Sequence, residues 1–196
     1  DPSSFAANAL IKLFEENNID PKEIGRIYMG TESALDASKP SATYATDLVE
    51  KYFSKKFGER CLKNCDIADL TFACIGGVDA LQNTIDWISV NPGKKAVVVS
   101  SDLSKYELNS TGEYTQGAGA IALLITENPS LISIDNVWGV ATKSENDFFK
   151  PRRTFNKKEL IDEIISKLSL DISNKDFEKI FSKSTFWDNN SEIIEV

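Results

Sequence analysis

A chain of 196 residues, 41% hydrophobic and 27% charged, has the length and composition of one globular domain with a substantial core. Its net charge of −8 argues against nucleic acid as a partner, and the sequence has neither an apolar run long enough for a membrane span nor a leader-like segment. We therefore expect a cytoplasmic protein with no nucleic-acid or membrane partner.

The chain has three cysteines and no histidine. Three cysteines form no even disulfide framework, and without histidine the chain offers no mixed Cys/His metal set, so we expect no metal site. Histidine is also the usual general base for a cysteine or serine nucleophile. Either a carboxylate does that work here, or the rest of the site lies outside this chain.

The first predicted elements are two helices with a strand between them. A helix with apolar residues on one face begins near Phe5 and ends near Asn17. The short segment Ile24–Met29 lies between glycines and is typical of a buried strand. A second helix is predicted to begin at Ser41 and end at Gly58, and its predicted buried face consists of Ala45, Leu48, Val49, Tyr52 and Phe53.

The middle of the chain predicts a strand, a helix and another strand. Residues from Asp66 to Ala73 are short, apolar or β-branched and suit a buried strand. Ala96–Ser100 is a continuous β-branched run typical of a fully buried strand. The helix between them has apolar residues three and four positions apart, as one buried face would: Val78, Leu81, Ile85 and Ile88.

The last third of the chain is less strongly patterned. Strands are predicted over Ile121–Ile125 and Leu131–Val140, and the turn between them favours an antiparallel pair. Two amphipathic helices are predicted around Leu160–Leu168 and Asp176–Phe181. The small residues before the first of these strands lack the spacing of a dinucleotide-binding fingerprint, and a strand follows them where that motif has a helix.

Cys74 stands where the second predicted strand meets the following helix. The unpaired N–H groups at a helix N-terminus favour negative charge and stabilise a thiolate, which is the form that attacks a carbonyl. Gly76 and Gly77 cost that helix roughly 1 kcal/mol each relative to alanine, which is understandable if a substrate or another backbone must come close. A buried, inert cysteine is the alternative on this pattern alone.

Two carboxylates follow predicted strands. Glu32 follows the end of the strand Ile24–Met29, after Gly30 and Thr31, and Asp102 follows Ala96–Ser100, after Ser101. In open α/β sheets, ligands bind at the carboxyl ends of the strands, which makes Glu32 a candidate base and Asp102 a further polar candidate. Glu32 as a solvated loop acid and Asp102 as a capping residue are the alternatives.

Five segments, in this order along the chain, resemble the hydroxymethylglutaryl-CoA synthase family in its bacterial form. The resemblance covers roughly Ile24 to Arg153 well and extends to the first helix, while Thr154 to Val196 matches only loosely. The segments are Gly30-Thr31-Glu32-Ser33-Ala34-Leu35-Asp36-Ala37-Ser38-Lys39, Phe72-Ala73-Cys74-Ile75-Gly76-Gly77, Ser101-Asp102-Leu103-Ser104-Lys105-Tyr106, Gly112-Glu113-Tyr114-Thr115-Gln116-Gly117-Ala118-Gly119-Ala120 and Asp147-Phe148-Phe149-Lys150-Pro151.

The resemblance implies an acyltransferase of the mevalonate pathway, which leads to isoprenoids. Acetyl-CoA would acylate Cys74, and the acetyl group would condense with acetoacetyl-CoA, with Glu32 as general acid/base. No permanently bound cofactor is implied, and a homodimer is. By match of motif, further substrate-site or supporting residues are Asp36, Asp102, Asn109, Thr115 and Asp147. Ile75 stands where many members have tyrosine, which implies a differently tuned hydrolysis step.

The resemblance also implies an α/β thiolase-like fold, with a mixed sheet that carries helices on both of its faces. This chain would be roughly one thiolase half, without its opening strands. Residues 1–153 would form the part that contains the nucleophile, and residues 154–196 a helical segment leading to the second half. The family's catalytic histidine lies beyond the matched region, so the chain alone is expected to be incomplete as an enzyme.

Two alternatives remain open from the sequence. A related condensing enzyme could act on acyl groups bound to a carrier protein in polyketide branching. The alternative from a different functional class is a non-catalytic domain that binds CoA or dimerises. Glu32 in its Thr-Glu-Ser setting argues against ketoacyl synthases and thiolases, since those enzymes draw their bases from histidine and cysteine.

Overall fold

The computed structural model describes residues 1–36, 38–106, 108–135, 137–144, 154–168, 176 and 193–195. The chain divides into two compact units, Asp1–Asp135 and Asn136–Val196. The predicted division after residue 153 stays a prediction. None of the helices in the described ranges is long and apolar enough to cross a membrane.

The first unit contains a four-stranded mixed sheet in the order β2-β1-β3-β4. Strand β1 runs parallel to both β2 and β3, and β4 runs antiparallel to β3. The strands are β1 (Ile24–Gly30), β2 (Asp66–Leu70), β3 (Lys95–Ser104) and β4 (Gly117–Thr126), and the helices are α1 (Pro2–Glu16), α2 (Ser41–Phe57) and α3 (Gly76–Ser89).

Side chains on neighbouring segments fix where α1 and α2 begin. The carboxylate of Asp1 accepts a hydrogen bond from the backbone N–H of Ser4, as a helix N-cap does. The second helix has no cap from its own Pro40. Instead, Asp69 on β2 accepts hydrogen bonds from the backbone N–H groups of Ser41 and Ala42, so the start of α2 is held to the sheet by a carboxylate.

Helices α1 and α2 cover one face of the sheet and form its apolar core. Leu10 and Phe14 of α1 are 1% exposed, and Val49 of α2 is completely buried. These side chains pack against alternate residues of the strands, as the two-residue period of a strand requires. The strand residues in this core are Ile24, Ile27, Met29, Val97 and Val99.

Helix α3 covers the opposite face, so the predicted mixed sheet with helices on both faces is confirmed. The indole ring of Trp87 in α3 lies 2.7 Å from the position that a Cβ on Gly25 would occupy. Arg26 stacks between the rings of Trp87 and Tyr28, at 4.9 and 4.3 Å from their centroids. Arg26 also forms a 2.8 Å ion pair with Asp66 of β2.

Two predicted buried faces are only partly right. On α3 the buried residues are Gly76, Ala80, Thr84 and Ile88, while Val78 is 48% exposed. The side of this helix that faces the sheet therefore combines the small residues Gly76 and Ala80 with the larger Ile88. On α2, Leu48 and Tyr52 are exposed, and the Tyr52 hydroxyl donates to Glu15.

Three strand predictions also need correction. The second strand ends at Leu70, and the residues up to Ala73 form loop and a 3-10 turn because the chain must reverse into α3. This strand lies at the edge of the described sheet and is not fully buried. Among residues 131–135 and 137–140 there is no strand, and β4 pairs with β3 instead of with that segment.

The second unit contains a short antiparallel pair and one helix in its described residues. Strand β5 (Thr154–Asn156) pairs with β6 (Ile193–Glu195), and α4 spans Lys157–Leu168, as predicted around Leu160. The side chain of Asn156 accepts from the backbone N–H of Lys158 at 2.9 Å, which caps the first turn of α4. The predicted helix Asp176–Phe181 lies outside the described residues except for its first residue.

Candidate active site

The segments that carry Cys74 and Glu32 lie at the same end of the sheet as Asp102, which is in the last part of β3. In the parallel part of the sheet, Gly30 pairs with Leu70 on one side and with Ser100 on the other. Beyond the end of β1, the backbone N–H of Thr31 still donates to the carbonyl of Leu70 at 3.2 Å. The carboxyl ends of β1 and β2 are therefore level, and each leads directly into a segment with a candidate residue.

Cys74 lies in a single 3-10 turn, Ala73–Ile75, between β2 and α3, and it is exposed. Ala73 has a φ of 39°, a left-handed conformation that residues with a Cβ rarely adopt. The N–H groups of Ile75 and Gly76 both donate to the carbonyl of Phe72 at 3.0 Å, which closes the turn. This tight turn presents the thiol outward immediately before the N-terminus of α3.

Glycines allow the first turn of α3 to contact the backbone of the sheet. A Cβ on Gly30 would lie 2.2 Å from the backbone nitrogen of Gly77, and one on Gly76 would lie 2.4 Å from the carbonyl oxygen of Leu70. A Cβ on Gly77 would meet the hydroxyl of Ser100 at 2.3 Å. The two glycines that follow Cys74 are therefore explained by close approach of β1, β2 and β3, and this contact fixes Cys74 next to the end of β1.

Glu32 is held by two side chains of β3. Its backbone N–H donates to Asp102 Oδ1 at 2.7 Å, and the same oxygen accepts from Thr31 Oγ1 at 2.9 Å. The Glu32 carboxylate accepts a 2.6 Å hydrogen bond from the hydroxyl of Ser104. Asp102 lies inside β3 rather than after its end, because pairing with β4 extends β3 to Ser104.

Tyr106 links Glu32 and Cys74 electrostatically. Burial raises the pKa of Tyr106, and the negative charges of Glu32 and Cys74 raise this pKa further. A hydrogen bond with Thr115 acts in the opposite direction and lowers the pKa of Tyr106. The phenol therefore lies within electrostatic range of both candidate catalytic groups and contacts a third predicted residue.

Asp36 organises the loop that precedes α2. It accepts hydrogen bonds from the backbone N–H groups of Ser38 and Lys39, at 2.8 and 2.9 Å, and from the Tyr44 hydroxyl at 3.1 Å. These hydrogen bonds, the Lys39 bond first among them, lower the pKa of Asp36 to about 2. In the described contacts Asp36 shapes this loop and is not joined to Glu32 or Cys74.

The other predicted residues lie in or beyond the loop after β3. Asn109 is exposed, has a φ of 63°, and donates its backbone N–H to Glu113 at 2.7 Å. Thr115 is exposed and donates its hydroxyl to the carbonyl of Gly112 at 2.7 Å. Asp147 lies outside the described residues. Of the two described residues, Thr115 is connected to the site, through Tyr106.

The three cysteines differ in their surroundings. Burial raises the pKa of Cys61, and it raises the pKa of Cys65 to about 12, with the neighbouring Asp66 charge adding to the effect. A thiol with a raised pKa stays protonated at neutral pH and is a poor nucleophile. Cys74 is the exposed one of the three.

Two side chains that matter here were not singled out by the sequence patterns. Ser104 contacts the Glu32 carboxylate, and Asp69 connects β2 to the start of α2. Ser104 lies two residues after Asp102, but the predicted strand ended at Ser100, so the alternation of its side chains did not extend to Ser104. Asp69 lay inside the predicted strand Asp66–Ala73, and nothing in the sequence indicated that it would hold the start of α2. The described residues contain no group of three or more Cys, Asp or Glu side chains that could hold a metal ion.

Residues 1–130 match the family model for the N-terminal part of hydroxymethylglutaryl-coenzyme A synthase. The chain belongs to the hydroxymethylglutaryl-coenzyme A synthase family. A hydroxymethylglutaryl-CoA synthase from Haloferax volcanii is 38% identical over 157 residues, which cover 79% of this chain and 34% of that protein. The resemblance implied by the five sequence segments is therefore confirmed at the level of the family.

Solved structures of synthases from this family share the fold. MvaS in complex with 3-hydroxy-3-methylglutaryl coenzyme A is 37% identical, with a TM-score of 0.67 over 77% of this chain and 34% of that one. The HMG synthase of the curacin biosynthetic pathway, in complex with acetyl donor-ACP, is 30% identical, with a TM-score of 0.51 over 65% of this chain and 30% of that one. The chain spans about a third of the length of these synthases.

Proposed function

We propose that this chain is the nucleophile-bearing part of an acyltransferase that condenses acetyl-CoA with acetoacetyl-CoA to give 3-hydroxy-3-methylglutaryl-CoA. The observation that carries the proposal is the placement of an exposed cysteine before α3, beside a glutamate that follows the adjacent parallel strand. Membership of the synthase family supports this assignment.

In the first step, the Cys74 thiolate attacks the carbonyl carbon of acetyl-CoA. The bond from that carbon to the CoA sulfur breaks, CoA leaves as the thiolate, and an acetyl-cysteine forms. The exposed turn around Ala73 gives the thioester access to the sulfur.

In the second step, Glu32 removes a proton from the methyl group of the acetyl-cysteine. The electron pair of that C–H bond forms the new bond to the keto carbon of acetoacetyl-CoA, whose oxygen then takes up a proton. Water finally hydrolyses the product from Cys74. The anchoring of Glu32 by Asp102 and Ser104 supports this role, because a general base must be held within hydrogen-bond distance of the proton that it removes.

The remaining predicted residues would act around these two. Asp102 positions the Glu32 backbone, and Thr115 acts through Tyr106. Asp36 would support the loop beside the site, and Asn109 and Asp147 would contact the substrate. The remaining length of the synthase would supply the histidine that this chain lacks. We further propose that the enzyme works in the cytoplasm as a homodimer.

The second candidate is condensation on carrier-protein-bound acyl groups. It is favoured by the likeness to the curacin-pathway synthase in complex with acetyl donor-ACP. The greater identity and TM-score with MvaS in complex with 3-hydroxy-3-methylglutaryl coenzyme A favour the CoA substrates.

The test is to supply the full-length protein with acetyl-CoA and acetoacetyl-CoA, and in parallel with acetyl and acetoacetyl carrier protein, and to measure product in both. We expect efficient turnover with the CoA substrates and a mass gain of one acetyl group with acetyl-CoA alone. Turnover only with the carrier-protein substrates would establish the second candidate. A protein that gains no acetyl group from either donor would be a non-catalytic binding domain.

A further inference from the structure

The hydroxyl of Ser104 forms a hydrogen bond with the carboxylate of Glu32, which is the base in the proposed condensation. The Ser104 Oγ donates to Glu32 Oε1 at 2.6 Å, a short distance typical of a hydroxyl bound to a charged acceptor. Ser104 is 8% exposed although it is the last residue of β3. This nearly buried hydroxyl at the end of a strand therefore donates its hydrogen bond to the Glu32 carboxylate.

The strand periodicity explains why Ser104 reaches Glu32. Ser100, Asp102 and Ser104 are alternate residues of β3 and so lie on one face of the strand. Ser100 lies against Gly77 of α3, and Asp102 accepts from the Glu32 backbone. The intervening Ser101 lies on the other face, where its hydroxyl donates to the carbonyl of Pro2 at 2.6 Å.

Asp102 and Ser104 hold different parts of Glu32. Asp102 holds the backbone N–H of Glu32 and so fixes where its side chain begins. An ionised carboxylate accepts hydrogen bonds but donates none, so only a donor can hold its other end. Among the described residues Ser104 is that donor, and it binds Oε1 of the two carboxylate oxygens. The other oxygen, Oε2, would take up the proton.

We propose that Ser104 is the positioning residue for Glu32, holding its carboxylate in one orientation for proton removal in the condensation step. The inference rests on the proposed function, because it assumes that Glu32 is the base. Ser104 keeps its own proton throughout and has no part in the attack of Cys74 on acetyl-CoA. Its loss should slow condensation and leave acetylation unchanged.

The experiment compares Ser104→Thr with Ser104→Val in the full-length protein. Both replacements are β-branched and of nearly equal volume, so they disturb packing alike, but only threonine keeps the hydroxyl. We expect kcat for condensation to be roughly 10-fold higher for Ser104→Thr than for Ser104→Val, the size of effect that a hydrogen bond to a charged group gives. KM for acetyl-CoA and the extent of acetylation should be the same in both.

Two controls separate positioning from a general structural effect. The same pair at Ser101, on the other face of β3, should give equal values of kcat. When Glu32→Gln is added, the difference between Ser104→Thr and Ser104→Val should disappear, because a residue that acts through Glu32 has no effect without it.

Equal kcat for Ser104→Thr and Ser104→Val would overturn the proposal, and so would a difference that persists beside Glu32→Gln. Failure of the proposed function is distinguishable, because then the wild-type protein itself would form no acetyl-cysteine or no condensation product. That result would remove the basis of the inference as well.

Discussion

The two faces of the sheet differ in what holds them to their helices. Under α1 and α2 the contacts are between large apolar side chains such as Leu10, Phe14 and Val49, which are almost completely buried. Under α3 the sheet also buries Ile88 and Val98, but the first turn of that helix meets the sheet through glycine backbone, as in the close approach of Gly30 to Gly77. We call this second face the polar face because its strand end carries Asp102 and Ser104, which hold Glu32.

This division shows why a catalytic constellation can be built on a small sheet. Burying apolar area contributes roughly 25 cal/mol per Å², and the main apolar cluster of the sheet lies under α1 and α2. The other face can then carry polar groups at the strand ends. Substitutions in the apolar face should therefore lower the free energy of unfolding, and substitutions of the polar groups at the strand ends should slow the reaction.

The largest expected effect is on the apolar face, from Leu10→Ala. Leu10 is 1% exposed, and deleting its side chain should lower the free energy of unfolding by about 2–5 kcal/mol. Urea denaturation measures this loss. The matched control is Leu131→Ala, at a leucine that is 95% exposed, which should stay within about 0.5 kcal/mol of wild type. A loss of acetylation per folded molecule in Leu10→Ala would contradict the division between the faces.

Glu32→Gln should affect chemistry and not stability. It keeps the volume of the side chain but removes the base, so condensation should fall by roughly 10²-fold or more. That factor corresponds to about 2.7 kcal/mol of barrier. Acetylation of the enzyme by acetyl-CoA should persist, as intact-mass measurement would show. Equal loss of acetylation and condensation would point to a structural acid instead.

Gly30→Ala tests the contact between α3 and the end of β1. The added Cβ would meet the backbone of Gly77, which cannot move without shifting the turn that carries Cys74. We expect a loss of about 1–3 kcal/mol in urea denaturation, together with slower acetylation. Gly119→Ala is the control, since a Cβ there meets no atom within 4 Å. Equal stability of the two variants would refute the proposed close contact.

The smallest expected effect concerns the loop held by Asp36. Its hydrogen bonds with the loop lower the pKa of Asp36 to about 2, below the usual value of 3.8. Because the pKa of Asp36 is lower in the folded protein than in the unfolded chain, its ionised carboxylate stabilises the folded state when the pH is above the unfolded pKa. This stabilisation is lost as the pH falls from about 3.8 to 2. The difference between wild type and Asp36→Asn in urea midpoint should shrink over that range. A difference independent of pH would contradict this role.

The sequence predicted the parts of the fold that depend on local pattern. The strand at Ile24 and the two helices, predicted to begin near Phe5 and at Ser41 and found to begin at Pro2 and Ser41, follow from their apolar periodicity. The strand expected over Leu131–Val140 was wrong, because the actual partner of β4 is β3, and strand pairing depends on contacts distant in sequence.

For the candidate site, the sequence singled out individual residues but did not show which of them contact one another. Cys74 was identified from a strand-to-helix junction, and the structure places it in such a turn. That Asp102 lies inside β3, and that Ser104 reaches Glu32, depends on how far β4 extends β3. The Leu81 and Ile85 face predicted for α3 was displaced toward Ala80 and Thr84, because close backbone contact requires small residues.

The central claim is that Cys74, presented on the polar face, is the acyl acceptor. The direct measurement is peptide mapping by mass spectrometry after the full-length protein is mixed with acetyl-CoA and quenched in acid. Only Cys74 is exposed, whereas burial raises the pKa of both Cys61 and Cys65. We predict one acetyl group on the peptide that contains Cys74, and none in Cys74→Ala. An acetyl group on Cys61 or Cys65, or one that survives Cys74→Ala, would contradict the account.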